Sequence, residues 1–328
     1  MTTALRGQLP THEFGFELLV CRWAELSWPP HRAAGGPVIV GRQLGEQARR
    51  WDTIVLECDP AGLRARAQFG DAALDRDLLF LVRNAPTEFT WYRDCLPDPG
   101  FPRRRLLPAI HRAAARGVLE VERRGRRVFM RQVAAYPPWV RRLIAIENKP
   151  DLDASAARRL GGQLAHDVER SLADEVWVAT ALAADAGVPA ALIEPMPEGV
   201  GIIGIDTHPS TGVTGSVLWR PRRLRPASDD APIRYRIAEA VYGQGWRSYA
   251  SSLRTDCRHL EPRLVGQAIL PWCAAKQTVP TPRGCRHACP KREPEPPQWR
   301  MQGWPLDGGP GKSLQRILEA RRRRTRQS

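Results

Sequence analysis

Lysine is scarce in this chain: only four of the fifty basic residues are Lys, at positions 149, 276, 291 and 312, and the rest are Arg. The net charge is nevertheless +15, because only 35 acidic residues oppose the basic ones. This balance predicts a polyanionic partner, with DNA as the first choice, although a compositional bias towards Arg would give the same charge. In a chain so poor in Lys, a Lys beside other chemically useful residues, such as Lys149, stands out.

Long apolar runs are also missing, although hydrophobic residues make up 42% of the 328 residues. None approaches the roughly 18 to 20 residues that a membrane-spanning helix needs. The N-terminus does not combine a basic start, an apolar segment and a small-residue cleavage site, so we expect no secretory signal. The sequence therefore predicts a cytoplasmic protein of about two domains that has no membrane contact.

Helical and strand-like patterns divide the chain into five parts. Residues 1–70 and 140–215 together predict one α/β domain with a mixed sheet flanked by helices. Between them, residues 71–139 predict three helices and a basic β-hairpin, the pattern of an inserted winged helix. Residues 216–300 are expected to form a connection and a small Cys-rich metal-binding segment, and residues 301–328 a flexible basic tail.

Two predicted strands carry the residues best suited to chemistry. Asp52 begins one strand, and Glu147, Asn148 and Lys149 end another. Side chains two apart on a strand share a face, so Glu147 and Lys149 present a carboxylate and an ammonium together. If Asp52 lies on the neighbouring strand, the two carboxylates form a hard-oxygen site for Mg²⁺ or Mn²⁺, which can activate water and polarise a phosphoryl oxygen. An ordinary ion pair at a strand end is the alternative.

This arrangement resembles the PD-(D/E)XK nuclease superfamily. Its pattern is an acidic residue on the first helix, an Asp at a strand start, a D/E-x-K on the next strand, and a helix that often carries Gln. The resemblance covers about residues 12–69 and 140–207 and implies a restriction-endonuclease-like core. It also implies catalytic roles for the residues at the matching positions, namely Glu17 or Glu13, Asp52, Glu147, Lys149 and Gln163. The chain departs from the pattern in its long insertion after Asp52, and in Asp167, which replaces the aromatic residue that often follows the Gln.

The predicted winged helix is rich in arginine. Its second helix is expected over the segment TEFTWYRDCL, and its third follows an arginine triplet. Winged helices place a helix in the major groove and let basic side chains meet phosphates. We therefore expect two basic groups to bind DNA: Arg103, Arg104 and Arg105 at the third helix, and Arg123, Arg124, Arg126 and Arg127 in the hairpin. The alternative is a solvated face that serves packing or dimerisation, and the sequence leaves a homodimer open.

Seven cysteines in a chain expected in the cytoplasm favour metal ligands or buried thiols over disulfides. Four of them fall close together, flanked by His259 and His287: Cys257, Cys273, Cys285 and Cys289. Four thiolates can close a tetrahedral Zn²⁺ site, which would supply folding energy to a segment poor in apolar residues. The Cys289–Pro290 ending also resembles the iron–sulfur exonucleases of DNA repair and CRISPR adaptation, which implies a 4Fe-4S cluster as the alternative. Unliganded thiols are the third option.

Two functions of different classes follow from these predictions. The first is a metal-dependent DNA nuclease that hydrolyses phosphodiesters with Asp52, Glu147 and Lys149. The second is a DNA-binding regulatory protein whose nuclease-like core is inactive, since a fold does not imply an activity. An enzyme that acts on RNA or another nucleic acid is a less favoured third option.

Overall fold

The structure of the protein is a computed structural model that describes residues 13–30, 36–46, 49–182, 188–208, 212–247, 253–254, 257–265, 268–285 and 289–293. His287 and the tail predicted over residues 301–328 lie outside the described residues. None of the described helices has the length and apolar character needed to cross a bilayer.

A six-stranded mixed sheet forms the largest part of the fold. Its strands are β1 (Val38–Gly45), β2 (Arg50–Cys58), β6 (Val140–Asn148), β7 (Glu175–Thr180), β8 (Val200–His208) and β9 (Gly212–Trp219), in that spatial order. The first three strands are antiparallel, β6, β7 and β8 are parallel, and β9 is antiparallel to β8. The predicted α/β fold with a mixed sheet is therefore confirmed.

Helices cover both faces of this sheet. Helix α1 (Glu13–Ser27) packs on one face, against side chains such as Val55 and Ile146. Helices α6 (Ala154–Arg170) and α8 (Ala231–Gln244) pack on the other. Because neighbouring strand residues point to opposite faces, the apolar runs in β2 and β6 supply both layers and are buried almost throughout.

The sheet extends beyond the boundary that the sequence predicts at residue 215. Strand β9 runs to Trp219, so residues 216–219 are not part of a solvated connection. A side chain at Gly215 would collide with Trp23 of α1, because a Cβ there would lie 2.1 Å from the indole ring. Strand β9 was missed because an edge strand rich in Gly, Thr and Ser has little of the apolar pattern of a central strand.

The segment that is inserted in the chain between β2 and β6 folds around its own small core. After α2 (Pro60–Ala67), it contains α3 (Arg76–Asn84), β3 (Thr90–Trp91), α4 (Tyr92–Cys95), a 3₁₀ turn (Arg103–Arg105), α5 (Leu106–Ala115), β4 (Leu119–Arg124) and β5 (Arg127–Gln132). The prediction of a full helix over TEFTWYRDCL was wrong. Thr90 and Trp91 instead pair with β5, and only one helical turn follows. Thr and Trp favour extended backbone, and the pairing with β5 makes that preference decisive.

A buried ionic network joins the inserted segment to the sheet domain. The guanidinium of Arg66 donates to both carboxylate oxygens of Glu239 at 2.5 and 2.6 Å, and neither side chain is exposed. Glu239 also accepts hydrogen bonds from the Leu74 backbone N–H and the Tyr136 hydroxyl. Leu74 lies where the chain enters the inserted segment, and Tyr136 lies where the chain returns to the sheet domain. The network therefore holds both of these connecting stretches of chain against α8.

The remaining described elements are short. They are α7 (Ala190–Ile193), a 3₁₀ turn (Ser228–Asp230) and the antiparallel pair β10 (Leu260–Val265) and β11 (Ala268–Cys273). The β10–β11 pair contacts α1 through its apolar side chains Leu260 and Leu270. It ends at Cys273 and begins three residues after Cys257.

Candidate active site

A cleft of about 570 Å³ opens beside α6, where β1 and β6 end and β2 begins. Its walls are formed by Gln43, Arg49, Arg50, Asp52, Glu147, Lys149, Ala156, Arg159, Leu160 and Gln163. Four of the residues that the sequence singles out, Asp52, Glu147, Lys149 and Gln163, thus line a single cleft. The sheet brings them together by placing β2 beside β6 although the inserted segment separates them in the chain.

Asp52 stands next to Glu147 across the strand pair. Thr53 pairs with Ile146, so continuing the register by one residue sets Asp52 opposite Glu147 on the face that α6 covers. The Asp52 carboxylate accepts one hydrogen bond from the Asn148 backbone N–H (3.0 Å) and another from the Gln43 amide (3.0 Å). These two bonds fix the carboxylate at the mouth of the cleft.

Gln43 holds Asp52 from an unusual backbone conformation. Its φ is +54°, in the left-handed region that non-glycine residues seldom occupy. Its amide nitrogen donates to both Asp52 and Glu17, so the side chain joins two carboxylates. Strained backbone of this kind is frequent at functional sites, which makes Gln43 a residue of interest that the sequence did not indicate.

Glu147 is a buried carboxyl with a strongly perturbed pKa. Only 4% of the residue is exposed, and this burial together with the negative charge of Asp52 raises its pKa to about 7. Arg49 acts in the opposite direction through a 2.5 Å hydrogen bond to one oxygen of Glu147. The Gln163 amide donates to the other oxygen at 2.9 Å, so the carboxyl is held from two sides.

Arg49 is the main residue of the cleft that the sequence did not predict. It lies at the turn between β1 and β2, and its guanidinium bridges Glu147 and the buried Asp167 of α6 (2.8 Å). Burial opposes the charge of Arg49, but Asp167 and Glu147 together raise its pKa. The one available signal was Asp167 itself, because an acidic residue on the buried face of a helix requires a cation nearby.

Lys149 lines the cleft, and its ammonium forms an ion pair with Glu13 at the start of α1. The Glu13 side chain is 61% exposed, so water screens the ion pair and weakens it. The backbone N–H of Lys149 donates to the Ala179 carbonyl of β7, which fixes the backbone at the end of β6. The side chain can therefore exchange Glu13 for another anion without any change in the sheet.

The first helix supplies both of its candidate carboxylates to this region. Glu17 is buried and forms a 2.7 Å ion pair with Arg42 on β1. Burial, with a smaller contribution from Asp52, raises the pKa of Glu17 despite this pair. Glu17 does not line the cleft, and the Gln43 amide joins its carboxylate to that of Asp52.

The arginines expected to bind DNA lie on the surface of the inserted segment. Arg103, Arg104 and Arg105 form an exposed 3₁₀ turn before α5, and Arg105 pairs with the buried Asp77 at 2.7 Å. Arg123, Arg124, Arg126 and Arg127 are exposed at the β4–β5 turn. Arg124 is partly neutralised by Glu122 at 3.0 Å.

The four clustered cysteines lie near one another. Cys285 accepts a hydrogen bond from the Arg254 backbone N–H, and burial together with the other three thiols raises its pKa. Cys257, Cys273 and Cys289 each begin a tight turn in which their carbonyl accepts from the N–H three residues ahead. Within the described residues, no three His, Cys, Asp or Glu side chains lie close enough together to hold one metal ion.

Comparison with known proteins identifies a family. A family model described as "Family of unknown function (DUF5787)" matches residues 39–233 and 225–294. The chain belongs to the DUF5787 family. The match includes Asp52, Glu147, Lys149 and the four clustered cysteines, whereas α1 with Glu13 and Glu17 lies before it. No curated protein and no solved structure matches the chain significantly.

Proposed function

We propose that this DUF5787 protein is a metal-dependent DNA nuclease of the PD-(D/E)XK type, with a restriction-endonuclease-like core. The observation that carries the proposal is the position of Asp52 and Glu147, side by side on antiparallel strands in one cleft with Lys149 and Gln163. The order of elements outside the inserted segment supports it: α1 comes first, then the antiparallel strands β1, β2 and β6, then α6 and the parallel strand β7. The acidic pair lies on β2 and β6.

Asp52 and Glu147 are the residues that would hold Mg²⁺ or Mn²⁺. Both provide hard oxygen ligands, and burial together with the negative charge of Asp52 raises the pKa of Glu147, a shift that a divalent cation beside the carboxylate would oppose. A bound ion of this kind would lower the pKa of a coordinated water and polarise a phosphoryl oxygen. The residues therefore fit such an ion.

Residues of the chain itself position the reacting groups. Gln163 and Arg49 orient Glu147, and the Asn148 N–H and Gln43 orient Asp52. Lys149 is the cation that would meet the scissile phosphate, because its long side chain lines the same cleft and its present partner Glu13 is exposed. Its ammonium would orient the attacking water or balance the charge that develops on phosphorus.

The inserted segment would bind the DNA as a winged helix. Its arginine turn precedes α5, the helix that would enter the major groove, and the β4–β5 hairpin would serve as the wing. The exposed arginines at both places would neutralise phosphates, so binding should weaken steeply with salt.

The cysteine cluster would be a structural Zn²⁺ site, with a 4Fe-4S cluster as the alternative. The three tight turns that begin at Cys257, Cys273 and Cys289, and the backbone N–H that Arg254 donates to Cys285, suit thiolate ligands held by a rigid backbone. Thiolate sulfurs are soft ligands that favour zinc or iron–sulfur clusters over Mg²⁺. An absorption spectrum of the purified protein would separate zinc from iron–sulfur.

A DNA-binding protein with an inactive core is the second candidate. The observation in its favour is that Arg49 already neutralises Glu147 and that Glu13 already pairs with Lys149. Internal cations in these places reduce the need for a metal ion.

Cleavage of labelled DNA by the wild type and by Lys149→Ala distinguishes the two. Single-stranded, duplex and branched DNA are incubated with Mg²⁺, Mn²⁺ or EDTA. We expect wild-type cleavage that EDTA abolishes and a loss of about 10²- to 10³-fold in Lys149→Ala. Arg158→Ala, which removes one positive charge from the exposed side of α6, is the matched control and should cut normally. Equal cutting by wild type and Lys149→Ala would contradict the proposed site, and no cutting would favour the inactive protein.

A further inference from the structure

Three aromatic rings lie outside every hydrophobic core of the described chain, on one face of the small sheet β3–β5–β4. They are Phe89, Trp91 and Phe129, each about half-buried. Trp91 pairs directly with Phe129, and Phe129 pairs with Glu122, so Trp91, Phe129 and Glu122 share a face. Phe89 lies two residues before Trp91, on the same side of the chain, and contacts Arg131. The opposite face, with Leu119 and Met130, closes the core of the inserted segment.

Arginine guanidiniums cover these rings in place of apolar side chains. Arg127 lies over Trp91 (4.6 Å to the ring centre), Arg124 over Phe129 (4.6 Å) and Arg131 over Phe89 (4.7 Å). Arg93 also approaches Trp91 at 5.8 Å. Alternating rings and guanidiniums offer flat surfaces for stacking and positive charge for phosphates on one face.

The charges on this face favour an anionic partner. Four arginines oppose two glutamates, of which Glu122 pairs with Arg124 and Glu120 with Arg131. Among the described residues, Arg127 forms no ion pair with a carboxylate, and its guanidinium lies over the Trp91 ring. An apolar protein partner would have to bury the guanidinium of Arg127 without a counterion, which is costly.

We infer that this aromatic face, consisting of Phe89, Trp91, Phe129 and their covering arginines, binds single-stranded DNA by stacking its unpaired bases. Sheet faces that display aromatic rings next to basic residues stack two or three bases in this way. Duplex DNA offers no free base faces, so it would meet only the arginines. The choice of DNA rests on the proposed nuclease function, and it would make the preferred substrate one with an unpaired segment beside a duplex.

The test is binding of a labelled oligo-dT strand in EDTA, measured by fluorescence anisotropy, with the matched duplex in parallel. Trp91→Leu and Phe129→Leu should each weaken single-strand binding by roughly 5- to 150-fold and leave duplex binding almost unchanged. Trp91→Phe keeps a ring and should retain most of the affinity. Trp219→Leu removes a 48% exposed tryptophan from the core sheet and is the matched control, which should bind as the wild type does.

The outcomes separate this inference from the nuclease proposal. Unchanged single-strand binding in Trp91→Leu and Phe129→Leu would overturn the aromatic face, even if the wild type cleaves DNA with Mg²⁺. Equal loss in Trp219→Leu would overturn it too, as would tighter binding of an oligo-U strand than of oligo-dT. Trp91-dependent binding by a protein that cleaves nothing would support the aromatic face and contradict only the nuclease.

Discussion

The raised pKa of Glu147 makes the stability of this protein depend on pH in a way that Glu147→Gln should remove. Burial and Asp52 raise this pKa from 4.5 to about 7. The difference corresponds to about 3 kcal/mol of unfolding free energy. Because the folded-state pKa is the higher one, this stability is fully present below pH 4.5 and is lost as the pH rises through about 7.

Glu147→Gln is neutral at every pH and nearly equal in size, so it keeps the stability that the ionised carboxyl loses. Its carbonyl oxygen can still accept from Arg49, while Gln163 must turn its amide to accept instead of donate. We therefore expect the variant to match the wild type near pH 4.5 and to exceed it by about 3 kcal/mol at pH 8.5.

Urea denaturation in EDTA between pH 4.5 and 8.5 measures this difference directly. The low-pH measurements are the internal control, because both folded proteins then carry an uncharged group at this position. A difference between the two proteins that does not change with pH would refute the reasoning. Repeating the series with Mg²⁺ adds a second arm: a cation at ten times its Kd should stabilise the wild type by about 1.4 kcal/mol at pH 8.5 and the variant far less.

Three further perturbations probe the other contacts. Arg49→Ala leaves the buried carboxylates of Glu147 and Asp167 without their cation and should lower the unfolding free energy at pH 8 by about 3 to 5 kcal/mol. Arg49→Lys should recover part of this loss. A loss below about 1 kcal/mol for Arg49→Ala in denaturant titrations would contradict the bridging role. Glu13→Gln removes an exposed ion pair and should change the unfolding free energy by less than about 1 kcal/mol, while nuclease assays show no loss of cleavage. Cys285→Ser should lower both the melting temperature and the bound zinc or iron in elemental analysis, and an unchanged melting temperature with no metal in the wild type would show that the cysteines are not ligands.

Local sequence patterns were sufficient to predict the elements that carry the candidate site. The apolar runs in β2 and β6 are buried on both faces, and such runs indicate central strands whatever the rest of the chain does. The spacing of Glu147 and Lys149 placed both at the end of β6, where both line the cleft. The α/β fold with its mixed sheet followed from the alternation of strands and helices.

Elements whose structure depends on a distant partner were predicted poorly. The TEFTWYRDCL segment has a helix-like pattern, yet Thr90 and Trp91 are extended because β5 pairs with them. Strand β9 is ordered by β8 and by the approach of Trp23 to Gly215, neither of which a local pattern can reveal.

The sequence by itself determined the central strands β2 and β6, the acidic and lysine positions and the arginine-rich surface, because each of these depends on the preferences of neighbouring residues. Only the tertiary structure decided how the charges are paired. Arg49 meets Glu147 98 positions away and Asp167 118 positions away, and Lys149 meets Glu13 136 positions away. These pairs exist because the β2–β6 register and the packing of α1 and α6 against the sheet bring those side chains together, and no local pattern encodes that register.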